Sequence, residues 1–329
     1  AGKVPPEVLA RILALPRATC EELLVAPALG EDAAVLGLKG GPLIVTSDPI
    51  TFPTPRPGHF AVCVNSNDIA AMGGRPRYFV MTVMMPPGST AEELLAIEKD
   101  AVSTADAAGI VLVGGHTEVT PAVKWPVVSV TMFGELVAPA PLRTGGAQAG
   151  DAILQVGFLA IEGTAILAGE YGDRLRRELG ELVVASAMRR LEDPGISVLG
   201  PALRLAASAG VHALHDPTEG GLATGLREMA EAAGLGARVE EEHLLRLPET
   251  DAICRCLGMD PLGLISSGCL LAAAEAGVAG ILVGELRACG YAAGCIGTFT
   301  RSPGLWLTSV QGNVCRELPR FGVDELART

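Results

Sequence analysis

Between Pro139 and Asp151 the chain reads Pro-Ala-Pro-Leu-Arg-Thr-Gly-Gly-Ala-Gln-Ala-Gly-Asp, a stretch dense in turn formers and without apolar periodicity. No helix or strand runs through such a segment, so the residues on either side must build separate cores. The length of 329 residues favours the same division, at about 100 to 200 residues per domain. We place one domain at residues 1–140 and a second at 150–329.

Both halves mix helix and strand periodicities. Val8, Leu9, Ile12 and Leu13 at helical spacing behind two prolines predict a short helix over Pro5–Leu15. Apolar runs predict strands at Ala33–Leu38, Leu43–Thr46, Tyr78–Met85, Ile110–Val113 and Val127–Phe133. Helices are expected between them over Gly58–Met72 and Ala91–Ala108; Thr90 is placed to cap the latter, and Glu92 and Glu93 suit the positive end of its dipole. The second half predicts strands at Ala152–Val156, Cys269–Ala274 and Ala292–Phe299. Its helices are expected near Thr164–Tyr171, Glu181–Leu191, Ser197–Ala207 and Gly220–Ala233, and no short-period repeat is present.

Composition removes several classes of function. With 49% hydrophobic against 19% charged residues the chain is not disordered. The longest apolar run, Leu270–Val283, is cut by Glu275, which argues against a membrane span. No basic block stands out in a chain of net charge −12, so nucleic acid is not expected as a partner. Ala1–Cys20 lacks the pattern of a secretory signal, and the eight cysteines are irregularly spaced with no Cys-x-x-Cys pair, so we expect a cytoplasmic protein with reduced thiols. Cys254-x-Cys256 reads more readily as core cysteines than as half a metal site. None of the four lysines lies in a P-loop, so a bound phosphate must be neutralised otherwise.

Four acidic motifs sit at the edges of apolar runs. They are Gly30-Glu31-Asp32-Ala33-Ala34-Val35, Thr46-Ser47-Asp48-Pro49, Asn65-Ser66-Asn67-Asp68-Ile69-Ala70-Ala71-Met72-Gly73-Gly74 and His215-Asp216-Pro217-Thr218-Glu219-Gly220-Gly221. Singly, each aspartate is as well explained as a helix cap or the closing residue of a turn. Together they offer hard oxygen ligands of the kind Mg²⁺ takes up beside nucleotide phosphates. Two carboxylates about 5 Å apart repel by roughly 3 kcal/mol at an effective dielectric of about 20, so a converging set needs a cation or raised pKa values.

The run Ile110–Val113 leads into Gly114-Gly115-His116-Thr117-Glu118, where the strand is expected to break and backbone N–H groups to approach an anion. This is the candidate phosphate or ribose cradle. His116 is a candidate proton shuttle, Thr117 a phosphate donor and Glu118 a base; the alternative is a tight turn in which His116 bonds a backbone carbonyl. Of the other histidines only His215, beside Asp216, draws interest. Ile161-Glu162-Gly163-Thr164-Ala165 and Leu264-Ile265-Ser266-Ser267-Gly268 are turns that either line a substrate or are purely structural, and Ser267 has no base near it in sequence.

Through these motifs nearly the whole chain resembles the PurM-like superfamily of aminoimidazole-ribonucleotide (AIR) synthetase, selenophosphate synthetase, thiamine-monophosphate kinase and HypE, in its AIR synthase-related, HypE-like branch. The resemblance rests on the Gly-Glu-Asp-Ala-Ala-Val motif, Ser47-Asp48, Asn67-Asp68 with Ala71-Met72-Gly73, Gly114 to Glu118, and Asp216-Pro217-Thr218 with Gly220-Gly221-Leu222. It implies an α/β (α+β) fold of two domains, the N-terminal mixed sheet pairing with a second copy into a β-barrel across a homodimer. It also implies ATP in the cleft between domains, with Mg²⁺ held by Asp32, Asp48, Asp68 and Asp216. Asn67, Gly114, Gly115, His116 and Thr117 then contact the nucleotide, and Asp68, His116 and Glu118 carry catalysis. The implied chemistry is activation of an amide or carbonyl oxygen by phosphoryl transfer from ATP, followed by loss of phosphate.

Three departures separate the chain from HypE proteins as a group. The tail reads Glu325-Leu326-Ala327-Arg328-Thr329 where the family ends in a substrate cysteine, Glu118 replaces a lysine, and Ser266-Ser267-Gly268 replaces Asn-Glu-Gly. The sequence therefore points first to an ATP- and Mg²⁺-dependent enzyme, ligase/cyclase-like or phosphotransferase, acting on a small-molecule acceptor. Two alternatives are a HypE-like hydrogenase maturation factor that dehydrates a carbamoyl group on a maturation partner protein, and a nucleotide-sensing module without turnover.

Overall fold

The computed structural model describes residues 8, 10, 13, 14, 21–28, 30–309 and 314–328. The helix expected over Pro5–Leu15 falls largely outside them. Two compact units are present, one holding Asp32–Pro141 with Ala18–Ala26, the other holding Leu142–Thr329 with Pro27–Glu31. The chain thus crosses from one unit to the other between Glu31 and Asp32, inside the first acidic motif.

The N-terminal unit is a six-stranded mixed sheet: β1 (Leu23–Val25), β2 (Ala34–Leu38), β3 (Gly41–Ile50), β4 (Gly74–Met85), β5 (Val111–Val119) and β6 (Val127–Leu136), in the order β1-β2-β3-β6-β4-β5. Helix α1 (Pro57–Ala71) begins with proline in its first turn, which needs no N–H there. Helix α2 (Ala91–Ala108) begins with the expected Thr90 cap, completed by Glu93 into a reciprocal capping box, and ends at Gly109 in the left-handed conformation. Because β4 and β5 are parallel, a crossover must join them, and α2 supplies it. Phe79, Met81, Val83 and Met85 alternate inward along β4 with Val128, Val130 and Met132 of β6, so one sheet face is a closed core.

β5 differs from the expectation. The two glycines do not end the strand; it runs on to Val119, and pairing with β4 slips one residue, from Phe79 opposite Leu112 to Val80 opposite Gly114. That is a bulge, for which glycine is suited. A Cβ on Gly115 would lie 2.0 Å from the Met81 carbonyl oxygen. Gly115→Ala is therefore expected to pry β5 from β4 and lower stability by about 2 kcal/mol, read as a lower melting temperature. β5 is also an open edge whose Val111, Val113 and Val119 are 53%, 57% and 64% exposed.

The second unit holds a seven-stranded sheet in the order β13-β12-β9-β11-β7-β10-β8. Its central strands, β7 (Ala152–Val156) and β10 (Leu270–Ala274), are buried at every residue, as expected of strands covered on both faces. Helices α3 (Ile161–Glu170), α4 (Gly172–Leu179), α5 (Glu181–Arg189), α6 (Leu199–Ala206), α7 (Gly221–Ala233), α8 (Pro248–Leu257) and α9 (Ala276–Ala288) accompany the sheet. Strands β8 (Val211–His215), β9 (Gly236–Glu240), β12 (Leu305–Ser309) and β13 (Val314–Glu317), and helices α4, α8 and α9, have no counterpart among the expected elements. The apolar run Leu270–Val283 is in fact two elements, β10 and α9, separated at Glu275. The remaining strands are β11 (Ala293–Thr300), β12 (Leu305–Ser309) and β13 (Val314–Glu317). No helix among the described residues is long and apolar enough to cross a membrane.

Candidate functional site

In the N-terminal unit the aspartates are drawn together by two uncharged side chains. Thr46, on the inward face of β3, donates its hydroxyl to Asp68 Oδ2 at 2.7 Å and lies 3.4 Å from the Asp32 carbonyl oxygen. Asn65, one helical turn before Asp68 on α1, accepts from the Asp48 N–H at 3.0 Å and donates to the Asp48 carbonyl at 3.1 Å. Asp32, Asp48 and Asp68 are thus tied to one corner made by β3, α1 and the start of β2. Asn65, Ser66, Asn67 and Asp68 are all buried. Four consecutive polar residues inside a helix–sheet interface oppose the usual economy of burial and mark this corner as more than scaffold.

The donor set suits Mg²⁺, which prefers carboxylate oxygen. Among the described residues no group of three or more His, Cys, Asp or Glu side chains is placed to hold a metal ion.

His116 and Glu118 lie elsewhere in this unit. On β5 they pair with Thr82 and Met84 of β4, whose side chains alternate away from the face that carries Thr46 and Asp48. Their side chains are 66% and 47% exposed and approach each other at 3.5 Å. Gly114, Gly115 and Thr117 share this exposed edge strand, so the expected turn there is corrected to a bulged strand.

Asp216, buried at the end of β8, belongs to the second unit. Its neighbour His215 bonds Glu228 at 2.9 Å. A Cβ on Gly30 would lie 3.5 Å from Glu228 and 3.9 Å from Thr144, while Glu31 receives Arg143 at 2.7 Å.

Around the same end of that sheet the Ser266-Ser267-Gly268 turn is held from several sides. The Ser266 hydroxyl donates to the Leu264 carbonyl at 2.9 Å and accepts from the Ala160 N–H at 3.0 Å. Ala160 sits at φ 56°, a left-handed conformation that an alanine adopts only when its surroundings enforce it. Gly157, at φ +79°, would place a Cβ 2.1 Å from the Gly268 carbonyl. Asp324 Oδ2 accepts from the Gly220 N–H at 2.7 Å, fastening the C-terminal segment to the turn that opens α7.

Against this turn lies Glu162, in the first turn of α3 and 1% exposed. Burial pushes its carboxyl up to about 7; a hydrogen bond from Ser267 works the other way, and the charges of Asp324 and Glu219 add to the rise. Sequence places no acidic side chain near Ser267, and the fold brings Glu162, 105 positions away, beside it. The only available signal was a lone charge inside the apolar run Leu159–Leu167. Asn65 and Thr46 were within the quoted motifs but carried no role there.

Cys254 is buried in the core, and burial pushes its thiol up to about 12, whereas Cys256 bonds Glu178 at 3.0 Å.

Two family models match the chain: "AIR synthase related protein, N-terminal domain" over residues 30–136 and "AIR synthase related protein, C-terminal domain" over residues 148–308. The chain belongs to the AIR synthase related family. The first match begins at Gly30, the opening residue of the first acidic motif. Among curated members, carbamoyl dehydratase HypE of Escherichia coli (strain K12) is 32% identical over 273 residues, spanning 80% of this chain and 76% of that protein. Carbamoyl dehydratase HypE of Azotobacter vinelandii is 33% identical over 265 residues, spanning 78% and 74%. A solved structure of hydrogenase maturation protein HypE in complex with ATP superposes with a TM-score of 0.75 at 27% identity, covering 90% of each chain. Within the AIR synthase related family this chain therefore falls in the HypE-like branch, and its mixed α/β fold of two units is the PurM-like fold.

Proposed function

We propose that this chain is an ATP-dependent carbamoyl dehydratase of the HypE type, converting a carbamoyl group to a nitrile with consumption of ATP. The observation that carries the reading is the conjunction of relatives named carbamoyl dehydratase at 32–33% identity with the tethering of Asp32, Asp48 and Asp68, through Thr46 and Asn65, to one corner of the N-terminal unit. The likeness to an ATP-bound HypE supports the nucleotide. The coarser reading from sequence, phosphoryl activation of an oxygen, is retained; its small-molecule acceptor gives way to a carbamoyl group presented by a partner protein.

In this reading Asp32, Asp48 and Asp68 hold Mg²⁺ with the phosphates, and Asp216 takes the same role by the family resemblance alone. The metal would neutralise phosphate charge as it develops during transfer. Thr46 fixes the Asp68 carboxylate and Asn65 the Asp48 backbone before ligand arrives, so less reorganisation opposes binding there. Asn67 stands in the same buried polar run.

For Gly114, Gly115, His116 and Thr117 nucleotide contact, and for His116 and Glu118 catalysis, are proposed on the family resemblance alone, because His116 and Glu118 lie on the sheet face opposite Thr46 and Asp48. Their exposure on an open edge beside apolar Val111, Val113 and Val119 supports a second copy of the chain covering that strand, as in the implied homodimeric barrel. Glu118→Gln is expected to spare the melting temperature and change turnover or nucleotide affinity. A large fall in melting temperature with unchanged turnover would give the residue a structural role instead.

The direct test is a calorimetric titration of ATP with and without Mg²⁺, followed by incubation with MgATP and an S-carbamoylated thiol peptide. Phosphate release with loss of one water from the peptide is the expected result. ATP binding with neither would favour the nucleotide-sensing alternative.

A further inference from the structure

Residues Leu318–Arg328 form a strap that grips two turns of the second unit. It is anchored first by backbone and ring contacts. The Leu318 N–H donates to the Leu305 carbonyl at 2.8 Å and Arg227 Nη2 to the Leu318 carbonyl at 3.1 Å. Phe321 covers Gly263, where a Cβ would lie 2.5 Å from the aromatic ring. Beyond Phe321 the grip is made by carboxylates. Glu325, 1% exposed, accepts from the Asp260 N–H at 3.1 Å and pairs with Arg328. Asp324 accepts from the Gly220 N–H at 2.7 Å through one oxygen and from the Leu326 N–H at 2.9 Å through the other, while its carbonyl accepts from the Ala327 N–H at 2.9 Å. The side chain is thus oriented by its own turn before it meets Gly220. Burial pushes the Asp324 carboxyl up and the two N–H donors pull it down, a conflict that an apolar side chain would avoid. What a carboxylate adds is a directional, charge-assisted bond.

The turn it reaches has much freedom to lose. Gly220 and Gly221 stand at φ +78° and +66°, two successive residues in the left-handed region. They open α7, and Gly220, its N-cap, has no side chain with which to satisfy an orphan N–H of the first turn. Backbone contacts restrain the rest. The Gly221 and Ser266 N–H groups both donate to the Thr218 carbonyl, at 3.0 and 3.2 Å, and a Cβ on Gly221 would lie 2.5 Å from the Leu262 carbonyl oxygen. Asp324 adds a charged contact from 104 positions away, and the turn it secures is the one that begins at Asp216.

We propose that Asp324 is a positioning residue for Asp216: by bonding the Gly220 N–H from outside the helix, it holds the Asp216–Gly221 turn in the conformation from which Asp216 ligates Mg²⁺. The proposal rests on the reading of Asp216 as a ligand of the Mg²⁺–ATP complex. In it Asp324 touches neither metal nor nucleotide and acts through the backbone of the turn. A ligand carried on a turn with two left-handed glycines reaches its place only part of the time unless the turn is fixed, and fixing it beforehand raises the affinity of whatever the ligand holds.

The test has one arm that needs no ligand. In amide hydrogen exchange of the unliganded protein, Asp324→Ala should speed exchange roughly tenfold at Gly220, and also at Gly221 and Ser266, whose N–H groups bond the Thr218 carbonyl and not Asp324. Strands β7 and β10 should exchange as in the native protein. In the second arm, calorimetric titration with ATP and Mg²⁺ should show affinity lowered roughly tenfold by Asp324→Ala, and less by Asp324→Asn, which keeps one acceptor oxygen. Titration with ATP and chelator should show no change in either variant. Faster exchange confined to Gly220 overturns the hold on the turn. A loosened turn with unchanged Mg²⁺-dependent affinity, or with equal losses in Mg²⁺ and chelator, leaves Asp324 a structural cap and overturns the positioning role. Should Asp324→Ala fail to fold, the same criteria apply to Asp324→Asn. If the native protein binds ATP no more tightly with Mg²⁺ than with chelator, the metal reading falls and the positioning role with it, while the exchange arm still decides whether the turn is clamped.

Discussion

Asp68→Asn is expected to weaken Mg²⁺-dependent ATP binding roughly a hundredfold, about 2.7 kcal/mol, and to leave metal-free nucleotide binding nearly unchanged. The substitution keeps the size of the side chain and an oxygen able to accept from Thr46, whose hydroxyl lies 2.7 Å from the carboxylate. What it removes is one unit of negative charge, and that charge matters only when a dication is bound. The measurement is a pair of calorimetric titrations, with Mg²⁺ and with chelator. Equal losses in both would remove Asp68 from the metal shell. Because the Thr46 bond survives, the melting temperature should move little, which separates this outcome from general damage to the corner.

Native stability should fall as pH rises from about 4.5 to about 7, and Glu162→Gln should abolish that dependence. The sign follows from the proton count. An unfolded glutamate titrates near 4.5, whereas burial pushes this one up to about 7, so between those values the native state holds the extra proton. Below the window both forms are protonated and the contribution vanishes; above it both are ionised and the full cost of a buried charge remains. A shift of this size corresponds to about 3 kcal/mol at alkaline pH. The glutamine variant replaces the charge with a neutral amide, adding at most a pH-independent penalty for an unpaired N–H. Chemical denaturation across the pH range checks both; a parallel pH dependence in wild type and variant would mean that other groups govern stability.

Much of the fold was legible because the apolar runs are clean. The helix over Ala91–Ala108 was bounded at both ends by its own caps, Thr90 and Gly109, and was read correctly to the residue. The strand Ala152–Val156 was likewise recovered from its mainly apolar sequence, interrupted only by Gln155. β9, with Arg238 and Gly236 in five residues, has no such pattern; its strand character comes from pairing with β11 and β12, which are distant in sequence. β5 was cut short because two glycines resemble a turn from sequence alone, although here they make room for the Met81 carbonyl. The four aspartates were visible as motifs. The brackets of the three in the N-terminal unit, Thr46 and Asn65, and the meeting of Glu162 with Ser267, depend on contacts between segments that sequence does not align.

The polar run Asn65-Ser66-Asn67-Asp68 has an evolutionary corollary. A central helix that packs against β3, β4 and β6 is where aliphatic side chains do most for cohesion, and this one devotes a full turn to groups that would rather meet water. Directed evolution for heat resistance alone would be drawn to that turn, since carbon-rich replacements there relieve a standing thermodynamic handicap. Lineages enriched that way would outlast the parent on heating yet lose their grip on nucleotide, so thermotolerance screens on this scaffold should be run under selection for ligand.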